Sequence, residues 1–267
     1  MSAKRFRPRK TGDGRPATES EPKPAVPGRI IVPDAPTLIR PVLDPTALPA
    51  EPADDGLLAL PPEKLLLPAL RQRFYYPPVD WHVEQQSDRV LLPGVGGELR
   101  PASVLVPIID RPGGPVVLLT LRTTHLRQHS GQVAFPGGRA DAQDRDVIHT
   151  ALREAEEEVG LDPALVEVVG RMPEYITATG FRVTPVVGLV SREAVLVPHP
   201  GEVAAAFEVP LGFLMDPRNH QRHRYDIDGV NRSFFAMPWG PPGREPYFIW
   251  GATAAMLRNL YHFLRAD

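Results

Sequence analysis

The chain has 267 residues, of which 42% are hydrophobic, so it can form one large domain with additional segments. It has no cysteine, which excludes disulfides, thiolate metal sites and a cysteine nucleophile. Its formal net charge of −2 excludes a global charge that attracts nucleic acid or anionic membranes. No apolar run approaches about 18 residues and the start lacks the apolar stretch of a secretory signal, so we expect a cytoplasmic protein that contacts neither membrane nor nucleic acid.

Prolines and basic residues mark the first 57 residues as a separate segment. Thirteen of the 33 prolines lie within residues 1–62, and the start carries the basic residues Lys4, Arg5, Arg7, Arg9 and Lys10. A segment with almost no aromatic residues cannot bury enough apolar area to offset the entropy lost on ordering. We predict a disordered tail over residues 1–57, and we interpret its basic start as solvated rather than as a patch for nucleic acid or a partner.

The remaining chain alternates irregularly between predicted helices and strands. Pro61 and Pro62 begin a short helix, and we predict that residues 58–98 contain this helix and a linker that pack on the domain. The domain spans residues 99–267, with strands predicted at 103–109, 116–121, 133–135, 166–172, 183–190 and 203–209, a hairpin turn at 226–229 and a C-terminal helix at 251–264. This order predicts an α/β fold in which helices cover the faces of a mixed sheet.

An acidic helix between these strands carries the most informative pattern of the chain. It reads Arg-Glu-Ala-Glu-Glu-Glu-Val-Gly at residues 153–160. At about 100° per residue, one arc of the helix is apolar and packs on a sheet; it contains Ile148, Ala151, Leu152, Ala155 and Val159. Glu154, Glu157 and Glu158 share a second arc, whereas Glu156 lies apart on the far side of the apolar arc.

The ends of this helix and one ion pair follow from the same pattern. Asp144 or Asp146 supplies the N-terminal cap, and Gly160 ends the helix, as a glycine after the last turn commonly does. Arg153 precedes Glu157 by four residues, so the two side chains can form an ion pair that orients the carboxylate.

The clustered carboxylates predict a metal site. Three carboxylates at positions i, i+3 and i+4 offer oxygen ligands for Mg²⁺ or Mn²⁺. The alternative is a solvated acidic face, which is the commoner interpretation of such a helix. The preceding Gly137 and Gly138 favour the metal site, because a glycine loop with free N–H groups beside a bound cation suits a diphosphate.

These residues resemble the signature of the Nudix hydrolases. The second half of the signature is matched by Arg153, Glu154, Ala155, Glu157, Glu158, Gly160 and Leu161. The first half departs from it, because Asp144 stands where the family has Glu and eight residues, rather than seven, separate it from Arg153. The resemblance implies an α/β/α sandwich with a mixed sheet and a metal-dependent diphosphatase in which Glu154, Glu157 and Glu158 bind the metal.

An upstream motif is similar to that of the Nudix enzymes that hydrolyse coenzyme A. It comprises Leu-Leu-Thr-Leu-Arg-Thr at residues 118–123, then Arg127, Gly131 and Phe-Pro-Gly-Gly at residues 135–138. Thr123 in place of Ser is its one mismatch, and the hydroxyl is kept. This resemblance implies hydrolysis of coenzyme A or acyl-CoA to adenosine 3′,5′-bisphosphate and (acyl-)4′-phosphopantetheine.

The resemblance also suggests roles for residues outside the acidic helix. Arg122 and Arg127 are interpreted as binding substrate phosphates, the alternative being that they order the loop between them. Glu202 is the candidate for a further metal ligand or the general base, with Glu174 as a weaker competitor and an exposed loop position as the alternative. Phe181 is a candidate to stack on adenine, although a core position fits it equally.

Other readings of the chain stay open beside this one. The substrate can be another nucleoside diphosphate derivative, such as ADP-ribose or a dinucleotide, or the domain can be a catalytically silent module that senses a nucleotide. His220 and His223 have the spacing of metal ligands, but we interpret them as surface residues of a hairpin because no carboxylate pair is near them in the sequence. The oligomeric state is open, a homodimer being one option.

Overall fold

The computed structural model describes residues 44–88, 95, 97–123, 131–227, 229–240 and 245–267. Its helices are α1 (Pro62–Leu65), α2 (Leu67–Tyr75), α3 (Val147–Val159), α4 (Leu211–Leu214) and α5 (Gly251–Arg265). Its strands are β1 (Ala50–Pro52), β2 (Arg100–Ile109), β3 (Val116–Arg122), β4 (Val133–Ala134), β5 (Gly137–Arg139), β6 (Val166–Arg171), β7 (Tyr175–Ile176), β8 (Phe181–Val190), β9 (Val203–Pro210), β10 (Gln221–Ile227), β11 (Val230–Trp239) and β12 (Tyr247–Trp250). The predicted strands, the acidic helix and the C-terminal helix are all present.

The helix predicted after Pro61 is divided into α1 and α2. The break is at Leu66, whose ψ of 145° is extended rather than helical. Pro68 explains the break, because a proline has no N–H to donate to the preceding turn and its ring clashes with the carbonyl there. Leu65 and Leu70 nevertheless both reach the core, so the two short helices still pack on the domain.

The large sheet is mixed, as expected, and it opens at one place. Its strand order is β4-β3-β2-β8-β6, and β2 runs parallel to β8 over its whole length. The neighbours β2 and β3 pair only at one end, through Ile108 with Val117 and Ile109 with Val116. Beyond that end β5 pairs with β2, and β4 pairs with β3. The chain that leads into α3 therefore fills the gap between two diverging strands.

Helices cover both faces of this sheet, which confirms the predicted α/β/α sandwich. On one face, the apolar arc of α3 packs against alternate residues of the sheet, which are Leu105, Ile109, Leu118, Val186 and Val190. On the other face, α5 joins the larger core, which includes Val106, Ile108, Val117 and Leu119. None of the helices in the described ranges is long and apolar enough to cross a membrane.

A second sheet, not foreseen from the sequence, lies on the α5 side. Its order is β1-β10-β11-β12, all antiparallel, and its residues Phe235, Met237 and Ile249 share a core with α5. The predicted hairpin at residues 226–229 joins β10 to β11. Because α5 contacts apolar residues of both sheets, nearly all its residues are buried.

The predicted tail is too long at its C-terminal end. Residues 50–52 form β1, which pairs with β10, and Ala53 is fully buried with its N–H donating to the carbonyl of His220. Pairing with a distant strand satisfies the backbone of this proline-rich segment, and composition cannot reveal such a partner. The prediction therefore fails for residues 44–57, and residues 1–43 lie outside the described ranges.

A buried arginine on α5 ties this N-terminal segment to the domain. Arg258 is 1% exposed; it donates two hydrogen bonds to Glu84 at 2.6 and 2.7 Å and one to the carbonyl of Ala53 at 2.5 Å. Burial alone raises the pKa of Glu84, but hydrogen bonds from His262 and Arg258 outweigh it and lower the pKa to about 2. The charged pair thus holds two segments that precede β2 against the last helix.

The two histidines predicted at the surface are buried, so that interpretation is wrong. His220 lies between the carbonyl of Leu214, at 2.8 Å, and the guanidinium of Arg258, at 3.1 Å, and burial lowers its pKa to about 4. His223 is 2% exposed, and its Nδ1 lies 3.1 Å from the carbonyl of Leu48. The packing of the second sheet on α5 and the N-terminal segment buries them, and no local pattern signals that contact.

Candidate active site

Both ends of α3 are fixed by local hydrogen bonds. Of the two predicted caps, Asp146 is the one used, and its side chain accepts from the N–H of His149 at 2.8 Å. Gly160 ends the helix in the left-handed region with a φ of 66°, which glycine adopts without strain. The register that results buries Ala151, Ala155 and Val159 and turns the acidic arc toward the glycine loop.

Glu158 is the most enclosed carboxylate of the acidic arc. Its side chain is 3% exposed, and it accepts from Arg122 Nη1 at 3.0 Å and from the N–H of Gly137 at 3.2 Å. Burial raises the pKa of Glu158 to about 7, against the opposing effects of Arg122 and the Gly137 N–H. A single carboxylate thus joins the end of β3, the glycine loop and α3.

Glu154 lies directly over Gly138. A Cβ atom at Gly138 would stand 2.4 Å from Oε2 of Glu154, so only glycine leaves room for this carboxylate. Burial raises the pKa of Glu154, and Arg153, whose Nη1 lies 2.9 Å from its Oε1, opposes that rise. Gly137 is required for another reason, because its φ is 156° and a Cβ there would stand 2.5 Å from backbone atoms of β2.

Arg153 is paired with several carboxylates of the cluster at once. It forms the predicted ion pair with Glu157 at 3.0 Å, and it binds both oxygens of Asp144 at 2.9 Å. Asp144 is itself enclosed and accepts from Thr150 Oγ1 at 2.9 Å, with Nδ1 of His149 at 2.8 Å. The hydrogen bonds from Arg153 hold the pKa of Asp144 well below its usual range.

The contact between Asp144 and Arg153 was not predicted from the sequence, which gave Asp144 as an alternative cap and as the residue in place of the signature glutamate. The available signal was its position in the first half of the signature, where the family carries another acidic residue. Its longer spacing from Arg153 left its role open. In the structure Asp144 precedes the capping Asp146 and therefore lies outside α3.

The loop that carries Glu202 is attached to the end of α3. The N–H of His199 donates to the carbonyl of Glu158 at 2.8 Å, and the carbonyl of Glu202 accepts from the N–H of Thr123 at 3.0 Å. The exposed carboxylate of Glu202 is close enough to raise the pKa values of both Glu154 and Glu158. The weaker candidate, Glu174, lies instead 3.9 Å from Arg182.

Two other predicted substrate residues remain, Arg127 and Phe181. Arg127 lies outside the described residues. Phe181 packs against the core on the face of the sheet away from α3, and the guanidinium of Arg100 covers its ring at 3.9 Å from the centroid. The contacts of Phe181 therefore fit the alternative core position, and adenine stacking by this ring stays a prediction.

The cluster fits a divalent cation in its donor atoms and in its charge. As the side chains stand, no three His, Asp or Glu residues within the described ranges are arranged to hold one ion, and the carboxylates face Arg122 and Arg153 instead. The donors are carboxylate oxygens of the kind that Mg²⁺ prefers, and the charges of Glu154, Glu158 and Glu202 repel one another. Two buried polar atoms beside them, Arg122 Nε and Ser103 Oγ, have no hydrogen-bond partner.

Known proteins resemble the chain over the same region. The model of the NUDIX domain matches residues 99–226. Proteins named Nudix hydrolase NudL from Yersinia pestis (strain Pestoides F) and Yersinia pseudotuberculosis serotype O:1b (strain IP 31758) are each 45% identical over 163 residues, which cover 60% of this chain and 78% of the relative.

Solved structures give weaker likenesses. The Nudix hydrolase RenU from M. smegmatis is 24% identical, with a TM-score of 0.38, and the match covers 50% of this chain and 80% of that one. The NUDIX domain of Shewanella oneidensis NrtR, solved with ADP ribose, is 20% identical, with a TM-score of 0.35 and coverage of 45% and 78%.

Proposed function

The chain belongs to the Nudix hydrolase family, and from this premise we propose that it hydrolyses the diphosphate bond of coenzyme A or of an acyl-CoA. The expected products are adenosine 3′,5′-bisphosphate and (acyl-)4′-phosphopantetheine. Nudix hydrolases generally use divalent metal ions, and we propose Mg²⁺ or Mn²⁺ for this one because its carboxylate donors suit either ion.

The observation that supports the proposal most is that Glu158 accepts hydrogen bonds from both Arg122 and Gly137. Arg122 belongs to the upstream motif that resembles the coenzyme A enzymes, Gly137 belongs to the glycine loop, and Glu158 belongs to the acidic helix. The first two segments are separate in the chain from the acidic helix, yet both donate to this one carboxylate. A motif that contributes to substrate recognition is expected close to the metal ligands, and the contact of Arg122 with Glu158 supports this role.

The roles proposed for the residues follow from their contacts. Glu154, Glu157 and Glu158 hold the metal, with Glu202 as a further ligand or the general base. A divalent ion held by these residues would supply charge neutralisation for the diphosphate and would acidify the attacking water. Arg122 can exchange Glu158 for a phosphate oxygen, which a guanidinium binds in bidentate geometry. Arg153 positions the carboxylates, so it acts through them rather than on the substrate.

The proposal is tested by incubating the full chain with coenzyme A and Mg²⁺ or Mn²⁺ and separating the products by chromatography. Both named products are expected, and the Glu158→Gln variant is expected to give neither. Glu156→Gln is the matched control, because Glu156 is on the same helix but exposed and apart from the cluster. Absence of turnover from neutral to alkaline pH would refute the proposal.

A substrate panel separates the alternatives. Faster hydrolysis of ADP-ribose or a dinucleotide than of coenzyme A supports a different nucleoside diphosphatase. Binding without turnover supports a silent nucleotide-sensing module, although the chain retains the three carboxylates of the acidic arc. Dephospho-CoA used as readily as coenzyme A would count against a dedicated contact to the 3′-phosphate.

Two further predictions from the sequence belong with this proposal. We place the reaction in the cytoplasm, which cell fractionation tests. We keep the homodimer as a proposal for the assembly, which light scattering coupled to size-exclusion chromatography tests, since a monomer mass of 29.4 kDa would refute it.

A further inference from the structure

A buried hydroxyl without a hydrogen-bond partner lies beside the carboxylate cluster. Ser103 is 1% exposed, and its Oγ is one of the few buried polar side-chain atoms in the described ranges that contact no donor or acceptor. Burying a hydroxyl unpaired is unfavourable, because the hydrogen bonds it made to water are not replaced. Buried polar atoms in folded proteins usually have a hydrogen-bond partner, so an unpaired one needs an explanation.

The strand register brings this hydroxyl next to Glu154. Ser103 in β2 is paired with Gly138 in β5 on one side and with Thr184 in β8 on the other. Leu105, two residues along the same strand, packs against α3, so the Ser103 side chain faces α3 as well. The Glu154 carboxylate lies over Gly138, and paired positions in neighbouring strands place their Cβ atoms about 4.5–5.5 Å apart.

The polar side chains next to Ser103, those of Thr184 and Glu154, already have hydrogen-bond or ion-pair partners. Oγ1 of Thr184 donates to Glu174 at 3.5 Å, and Oε1 of Glu154 is paired with Arg153 at 2.9 Å. Arg153 keeps Asp144 as a partner whether or not Glu154 stays with it. Of these three side chains, Ser103 is thus the one whose hydroxyl has no hydrogen-bond partner.

We propose that Ser103 is a positioning residue of the metal site, whose hydroxyl donates to the Glu154 carboxylate when that carboxylate binds a divalent cation. A bound cation repels the guanidinium of Arg153, whereas a neutral hydroxyl meets no such repulsion and suits a carboxylate that already bears a cation. Hydrogen bonds of this kind orient metal ligands in many proteins. The inference rests on the metal site of the proposed function but not on the identity of the substrate.

The test measures metal binding and stability without any substrate. Mn²⁺ affinity is measured by electron paramagnetic resonance, and thermal unfolding is followed in the presence of a chelator, for the full chain and its variants. Ser103→Ala is expected to weaken Mn²⁺ binding roughly 10- to 100-fold, the usual effect of removing a partner of a metal ligand. Its metal-free unfolding temperature is expected to stay the same or to rise, because the hydroxyl it removes is unpaired.

Two further substitutions at this position separate the hydroxyl from its volume. Ser103→Cys fills nearly the same space with a weak donor and is expected to lose Mn²⁺ affinity like Ser103→Ala. Ser103→Thr keeps the hydroxyl and is expected to bind Mn²⁺ like the unmodified chain. If Ser103→Thr does not fold, the comparison of Ser103→Ala with Ser103→Cys still decides the question.

Tyr261→Phe on α5 is the matched control. It removes a buried hydroxyl that does have a partner, the carbonyl of Leu58 at 2.7 Å. Its unfolding temperature is expected to fall while its Mn²⁺ affinity is unchanged. The opposite pattern in Ser103→Ala supports the inference, because an ordinary structural hydroxyl behaves like that of Tyr261.

Unchanged Mn²⁺ affinity in Ser103→Ala, or a fall in its metal-free unfolding temperature like that of Tyr261→Phe, would overturn the inference. Its failure can be told from that of the proposed function. Mn²⁺ binding that Glu158→Gln abolishes and Ser103→Ala leaves intact refutes the role of Ser103 alone. Absence of Mn²⁺ binding, or binding that Glu158→Gln does not affect, refutes the metal site itself and the inference with it.

Discussion

The two adjacent glycines at the start of β5 are expected to respond differently to the same substitution. In Gly137→Ala, the new Cβ meets the carbonyl oxygen of Ser103 and Cα of Val104, each at 2.5 Å. Normal contacts between carbon atoms are about 3.5–4.0 Å, so the overlap is about 1 Å or more and involves backbone that cannot turn away. In Gly138→Ala, the new Cβ meets only the end of the Glu154 side chain, at 2.4–2.7 Å.

The magnitudes follow from what has to move. For Gly137→Ala, overpacking costs about 1–3 kcal/mol and the φ of 156° adds about 1–3 kcal/mol, so the free energy of unfolding falls by about 2–6 kcal/mol. At roughly 2–4 °C per kcal/mol for a domain of this size, the unfolding temperature falls by about 4–24 °C. For Gly138→Ala, the Glu154 carboxylate can swing toward solvent, so we expect a loss below about 1 kcal/mol.

Thermal unfolding followed by circular dichroism in a chelator measures both effects, and Mn²⁺ titration measures the consequence for the site. Gly138→Ala is expected to unfold almost like the unmodified chain but to bind Mn²⁺ at least about 10-fold more weakly, because its Glu154 is displaced. Equal destabilisation by the two substitutions, or full Mn²⁺ affinity in Gly138→Ala, would refute the assignment of one glycine to backbone packing and the other to the metal ligand.

The remaining predictions concern the carboxylates and acid stability. Glu158→Gln is expected to lower the hydrolysis rate by at least roughly two orders of magnitude, since a metal contributes several kcal/mol to such a reaction. Glu156→Gln is expected to keep the rate of the unmodified chain, and equal rates in the two variants would contradict the assignment of Glu158 as a ligand. Asp144→Asn is expected to lower the free energy of unfolding by about 1.5–3 kcal/mol and to weaken Mn²⁺ binding, because it removes a charged partner that holds the guanidinium of Arg153. Calorimetry measures the stability and titration measures the Mn²⁺ affinity, and a variant unchanged in both counts against this role of Asp144. His220 has a pKa of about 4 in the folded chain against 6.5 in the unfolded chain, so the stability it contributes is present above pH 6.5 and is lost as the pH falls toward 4. Glu84, with a pKa of about 2 against 4.5, contributes about 3 kcal/mol above pH 4.5 that is lost as the pH falls toward 2. Urea unfolding from pH 7 to pH 2 measures both losses. Because Glu158, whose pKa is raised to about 7, stabilises the fold as the pH falls over part of the same range, the histidine contribution is tested against His220→Gln, and equal pH dependence of the two chains between pH 6.5 and 4 would refute it.

Local patterns determined the main elements of this protein from the sequence alone. The spacing of apolar and acidic residues along α3 separated Glu154, Glu157 and Glu158 from Glu156, and the structure buries the apolar arc on the sheet. Such periodic signals survive in one sequence because a helix or strand repeats its exposure every few residues. The same holds for the sequence motifs, which indicated the family and the acidic helix without any coordinates.

The tertiary structure alone decided which distant residues meet. The contact of Arg122 with Glu158, the pairing of Ser103 with Gly138 and the burial of His220 depend on strand register and on packing between segments far apart in the chain. Such contacts leave no periodic trace, because each joins one residue to one partner rather than a face to a face. The sequence by itself therefore identified the acidic helix and its glycine loop, whereas only the folded chain shows how the carboxylates are held.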